Sequence, residues 1–216
     1  MIGQGVLREC LLAGDVARVT VIGRTGTGVV HAKLREIGSP DIVLSTDKAA
    51  DDAYDACFYC LGVSANGMTE VDHTRTTFDL ALSIAAILSR TNPQMTFSYV
   101  SGAGTDSTER GRVMWARVKG RTENALRALP FRAVYLFRPG IIQPLHGATS
   151  KTRSYRIMYM VLTPMFPLIN ALFGRYILTT ESIALAMLNA VRRGAPRAVL
   201  EVADIKSLSS SALPRG

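Results

Sequence analysis

The chain has 216 residues, enough for one domain to bury a full core without covalent staples. Its three cysteines are too few and odd in number for a disulfide framework, which points to a reducing compartment such as the cytoplasm, and no signal peptide is visible. The net charge of +8 favours anionic partners, but it is spread along the chain with no basic run or recognised motif, which argues against nucleic acid.

In chain order, the opening MIGQGVLREC sets Gly3 and Gly5 just before an apolar run, Val6, Leu7, Cys10, Leu11 and Leu12, that suits a helix face ending near Gly14. A glycine-rich turn opening a helix attracts a pyrophosphate through bare N–H groups and the positive end of the helix dipole. RVTVIG (18–23) and DACFYCLG (55–62) read as buried parallel strands, with a weak strand at 41–45 between them. Residues 69–90 have helical spacing, with Thr69 and Asp72 as a capping pair, Phe78, Leu82, Ala85 and Leu88 or Ser89 near one face, and Asn92 and Pro93 as the stop. A strand at 95–101, a helix at 112–129 and a strand at 132–137 follow. A helix over 181–193, after Thr180, a last strand at 198–202 and a disordered tail from Lys206 complete the pattern. The repeated β then α order implies a doubly wound, Rossmann-like parallel α/β sheet covered on both faces, as a single domain over 1–205.

The apolar stretch 155–173 has about the length of a membrane span, yet Arg156, Asn170, Pro164 and Pro167 interrupt it. It reads as part of a substrate-side lobe over 144–180, with contact to a membrane surface as the other option. Cys57 and Cys60 form Cys-x-x-Cys inside a strand, where they face opposite ways and do not make a redox or zinc pair. His31, His73 and His146 lack metal-ligand spacing.

The stretches FSYVSGAGTDSTERGRVMWARVKGRTENAL and VYLFRPG resemble the short-chain dehydrogenase/reductase superfamily, in its atypical, epimerase-like branch. The resemblance covers about residues 1–205. In that superfamily a strand ends in a catalytic Ser, the next helix carries Tyr-x-x-x-Lys, and a further strand ends in Arg-Pro-Gly; here Ser101, Lys119 and Arg138, Pro139, Gly140 take those places. Gly3 matches the last glycine of the family's Gly-x-x-Gly-x-x-Gly turn, so the resemblance implies that the first strand and first two glycines lie outside the 216 residues. The family tyrosine is replaced by Trp115, four residues before Lys119 and on the same helical face. Indole does not titrate, so Trp115 either stacks in the pocket or packs the helix, and reduction by a Ser-Tyr-Lys scheme is not expected.

The resemblance further implies a nicotinamide dinucleotide, with Lys119 on the nicotinamide ribose, Gly62 letting a ribose approach the backbone, and Pro139 and Gly140 walling the nicotinamide. Arg24 stands where an NAD-selective site usually presents an acid, which favours NADP(H) over NAD. Two functions stay open: an NADP-linked oxidoreductase or epimerase-like enzyme acting on a small molecule, and a non-catalytic dinucleotide-binding or regulatory protein. Asp106, Glu109, Arg110 and Arg112 form a polar loop beside Ser101 that is either a lid or a solvated loop.

Overall fold

The structure is a computed structural model and describes residues 1–148 and 176–210. The stretch 155–173, most of the 144–180 lobe and the last six residues of the expected tail lie outside them.

Four parallel strands form the main sheet in the order β3 (Ala56–Tyr59), β4 (Thr96–Val100), β5 (Ala133–Phe137) and β8 (Val199–Leu200). Alternation along each strand sends its residues to two apolar layers. Phe58, Val100 and Phe137 face a cluster built with α1 (Ile2–Leu12), α6 (Thr180–Arg193) and α7 (Val202–Ser210). Tyr59, Phe97, Tyr99 and Leu136 face the other, built with α4 (Leu80–Thr91) and α5 (Met114–Arg127). Helices therefore cover both faces, as the β then α order requires. Cys57 belongs to the second layer and Cys60 to the first, so the two thiols lie on opposite faces of β3.

β1 (Val19–Gly23) pairs in parallel with β2 (Leu34–Gly38) as a separate two-stranded sheet. β1 and β3 each stand at the edge of their own sheet, and α1 touches both. Val19 joins the same apolar cluster as Phe58 and Val6, so the two sheets share one helix layer. A third pair, β6 (Ile141–Gln143) with β7 (Ile177–Thr179), extends the chain beyond β5. Leu145 N–H donates to Thr180 Oγ1 at 3.1 Å and the His146 ring meets Glu181 Oε2 at 2.8 Å, which draws the ends of the intervening segment together.

Several expectations need correction. The stretch 41–45 opens α2 (Ile42–Ala49), because Asp41 caps a helix by accepting from Leu44 N–H at 2.9 Å; the strand is β2, just before it. Gly3 and Gly5 lie inside the first turns of α1, not before them. The α6 cap is Thr179, one residue earlier than Thr180, in a reciprocal capping box with Ser182. The expected last strand is only Val199–Leu200, and Lys206–Ser210 continue α7. That helix is held because Ile205 is fully buried and Asn189 Nδ2 donates to Leu208 O at 2.8 Å.

Candidate functional site

Ser101 follows β4 directly, and its N–H donates to Phe137 O at 2.7 Å, fixing it to the end of β5. Its hydroxyl lies 2.9 Å from Thr105 Oγ1, while the Thr105 hydroxyl donates to Gly102 O at 2.8 Å. With the Thr105 proton used there, Ser101 is the donor of the pair, and its own oxygen keeps its capacity to accept a hydrogen bond.

Lys119 reaches across from α5 and donates to Ser101 O at 2.8 Å. Burial pushes its ammonium down to about 8, against a smaller opposing pull from Glu123. Trp115 sits one turn earlier, its ring 3.6 Å from where a side chain on Gly104 would begin; that glycine has φ +84°. Ser101, Lys119 and Trp115 are thus brought together around the first residues after β4.

The loop from Gly102 to Val113 is fastened to α5 rather than free to close as a lid. A Cβ on Gly120 would stand 1.8 Å from Asp106 O, so only glycine lets the loop lie against the helix there. Asp106 N–H donates to Ala116 O at 3.1 Å. The Asp106 carboxylate accepts from Thr108 Oγ1 at 2.6 Å and from Gly111 N–H at 2.6 Å, which holds it below the usual carboxylate range. It is a turn-former with both oxygens engaged, not an available acid.

Arg138 is a fastening residue too. Its guanidinium meets the Glu123 carboxylate through Nε at 3.0 Å and Nη2 at 2.5 Å, donates from Nη2 to Ser107 Oγ at 2.6 Å, and reaches Glu201 at 3.2 Å. Glu123 is only 1 % exposed. One buried cation therefore ties β5, α5, the loop and the start of α7. Neither Gly120 nor Glu123 stood out in the sequence, since nothing local marks a partner 14 or 15 residues away.

The residues expected to meet a dinucleotide occupy the carboxyl ends of their strands. Arg24, exposed, follows β1; Gly62, with open space over its Cα, follows β3; Pro139 follows β5, buried, with its carbonyl accepting from Ala103 N–H at 2.9 Å. Gly140 has a packing reason to lack a side chain: a Cβ would lie 3.2 Å from Tyr176 O and 3.3 Å from Val202 Cγ2. A Cβ on Gly3 would lie 3.3 Å from Cys60 Cβ, just past the end of β3, and one on Gly5 would lie 2.7 Å from Thr180 O. The start of α1 has neither a side-chain cap nor an acidic residue in its first turn.

No protein-family model matches the chain. Solved structures do. The Bordetella bronchiseptica enzyme WbmF, in complex with NAD+, aligns at TM-score 0.64 with 16 % identity over 95 % of this chain and 73 % of that one. The Helicobacter pylori ADP-L-glycero-D-manno-heptose-6-epimerase aligns at 0.66 with 15 % identity, covering 99 % and 79 %. The chain has their fold. The human epimerase family protein SDR39U1, isoform 2, solved with NADPH, shares it at TM-score 0.59 and 14 % identity over 93 % and 70 %. The Rossmann-like parallel α/β fold implied by the sequence resemblance is therefore present, and among the described residues no helix is long and apolar enough to cross a membrane.

Proposed function

We propose that this chain binds a nicotinamide dinucleotide, NADP(H) in preference to NAD(H), and acts as an oxidoreductase or epimerase-like enzyme on a small molecule in a reducing compartment such as the cytoplasm. The observation that carries the reading is the Lys119 ammonium held on the Ser101 carbonyl at the end of β4, with Ser101 Oγ left as an acceptor. The residues present fit the cofactor: an uncapped α1 start for the pyrophosphate, an open Gly62 for the ribose, and an exposed Arg24 for a 2′-phosphate. The bound cofactor would supply the hydride chemistry. Of the chain's own groups, Ser101 orients a substrate hydroxyl, Lys119 presents its charge to the ribose and, with a proton affinity near neutral, can exchange a proton; Trp115 walls the pocket.

Equilibrium binding of NADPH and NADH to the whole chain tests this. We expect NADPH to bind about tenfold more tightly, with Arg24→Ala removing the difference. Equal affinities overturn the assignment of Arg24, and no binding of either overturns the dinucleotide site. A second reading, a dinucleotide-binding protein without catalysis, is favoured by Trp115 in place of an acid; cofactor binding with no turnover of any alcohol or carbonyl substrate would establish it.

A further inference from the structure

Lys119 stands where a charged group is short of acceptors. An ammonium carries three N–H donors, and among the described residues one acceptor meets them, the Ser101 carbonyl at 2.8 Å. No carboxylate among those residues comes within ion-pair distance of it. Glu123, one turn along α5, has both oxygens on Arg138, Oε1 with Nε at 3.0 Å and Oε2 with Nη2 at 2.5 Å. α3 (Glu70–Thr74), which packs against α5, adds no counter-charge: its Glu70 is taken by Arg117 at 2.7 Å. The buried His73 ring of α3 is held below the ordinary histidine range by burial first and then by the Lys119 charge, so it is neutral at pH 7. A neutral amine suits this place better than an ammonium, and burial does push the group down to about 8.

The nitrogen can also be approached. Lys119 is half-buried, not sealed. On Gly102 a Cβ would lie 3.7 Å from Nζ, so glycine leaves that side of the nitrogen clear, while the Trp115 ring beside Gly104 makes an apolar wall one turn earlier. Lysines kept neutral by burial are the ones that act as nucleophiles toward carbonyl carbon.

We propose that Lys119 captures an aldehyde or a ketone as a protonated imine at the carboxyl end of β4. The neutral amine adds to the carbonyl carbon; the carbinolamine takes up a proton from solvent and loses its oxygen as water, and C=N replaces C=O with nothing oxidised or reduced. A protonated imine keeps a single N–H, and the Ser101 carbonyl is there to accept it. The product is thus satisfied by the acceptor that leaves an ammonium under-bonded. This step goes beyond the dinucleotide reading and needs no bound cofactor.

Limited reductive labelling of the whole chain without cofactor tests it. Propionaldehyde with cyanoborohydride fixes each imine as a propyl amine, and peptide mapping reads Lys119 against Lys33, Lys48, Lys151 and Lys206. At pH 7 about a tenth of a group titrating near 8 is neutral, against about three parts in ten thousand of an ordinary lysine. Lys119 should therefore be labelled at least about tenfold faster than the other four, its lower exposure taking back part of the gain; the N-terminal amine, which titrates near 8 in any chain, is read apart. Equal labelling of the lysines overturns the proposal. Propionaldehyde carrying 13C at its carbonyl, added without reductant, should give a bound imine signal that Lys119→Arg removes, and a signal surviving in that variant overturns it as well. If Lys119→Arg does not fold, the labelling map of the natural chain decides alone. NADPH added beforehand should slow the labelling of Lys119; labelling that ignores NADPH would count against the dinucleotide reading and leave the capture standing.

Discussion

Replacing Arg138 by Met should remove the cation from a carboxylate that cannot reach water. Glu123 is 1 % exposed and takes two of the guanidinium's hydrogen bonds, while the Ser107 hydroxyl takes another. Glu201 is about half exposed and contributes little by comparison. Leaving a buried charge unpaired typically costs about 3–5 kcal/mol, which for a chain of this size lowers the melting temperature by roughly 6–20 °C. Urea unfolding of the natural chain, Arg138→Met, and Arg138→Met with Glu123→Leu, at pH 7, is the assay. The double variant should recover much of the loss, since a buried pair replaced by apolar groups is often nearly neutral. A single variant within about 1 kcal/mol of the natural chain would refute the reasoning, because exposed pairs behave that way.

Trp115→Tyr places a phenol four residues before Lys119 and should raise NADPH-dependent carbonyl reduction by up to a hundred to about ten-thousandfold; no gain in a variant that still binds NADPH would show that Ser101 and Lys119 are not set for this chemistry. Gly5→Ala puts a Cβ 2.7 Å from Thr180 O and should push α1 off α6, costing about 1–3 kcal/mol in denaturant unfolding. Lys119 binds its proton less tightly in the fold, titrating near 8 against an ordinary 10.5, so its contribution to stability should rise with pH between those values. Lys119→Met should abolish that rise in unfolding measured from pH 8 to 10.5.

Elements with a full apolar period were legible from the residues: β3, β4, β5, α4, α5 and α6 all lie within a few residues of where their spacing put them. β2 was not, because Leu34–Gly38 sets exposed Arg35 and Glu36 side by side between half-buried Leu34 and Ile37 and has neither an apolar run nor a period of two. α2 was hidden by β-branched residues, Ile42, Val43 and Thr46, whose preference was overruled by the Asp41 cap and by burial of Ser45, Thr46 and Ala49. At the candidate site, Ser101, Lys119 and Trp115 were named through the family resemblance. Arg138 was placed by its motif, but its partner, Glu123, is a tertiary fact.

The division of the strands into β1–β2 and β3–β4–β5–β8 has a consequence for how the molecule comes apart. No ladder of hydrogen bonds joins β1 to β3 among the described residues, and the first sheet is held to the rest by packing against α1 and α2 and by side-chain bonds such as that from Arg35 Nη1 to Asp52 Oδ2 at 2.7 Å. Parts of a fold joined by few backbone bonds open at a lower free energy than the whole. The amides of Val19–Gly23 and Leu34–Gly38 therefore belong to a unit that exchanges hydrogen for deuterium sooner than those of Thr96–Val100, at the centre of the larger sheet.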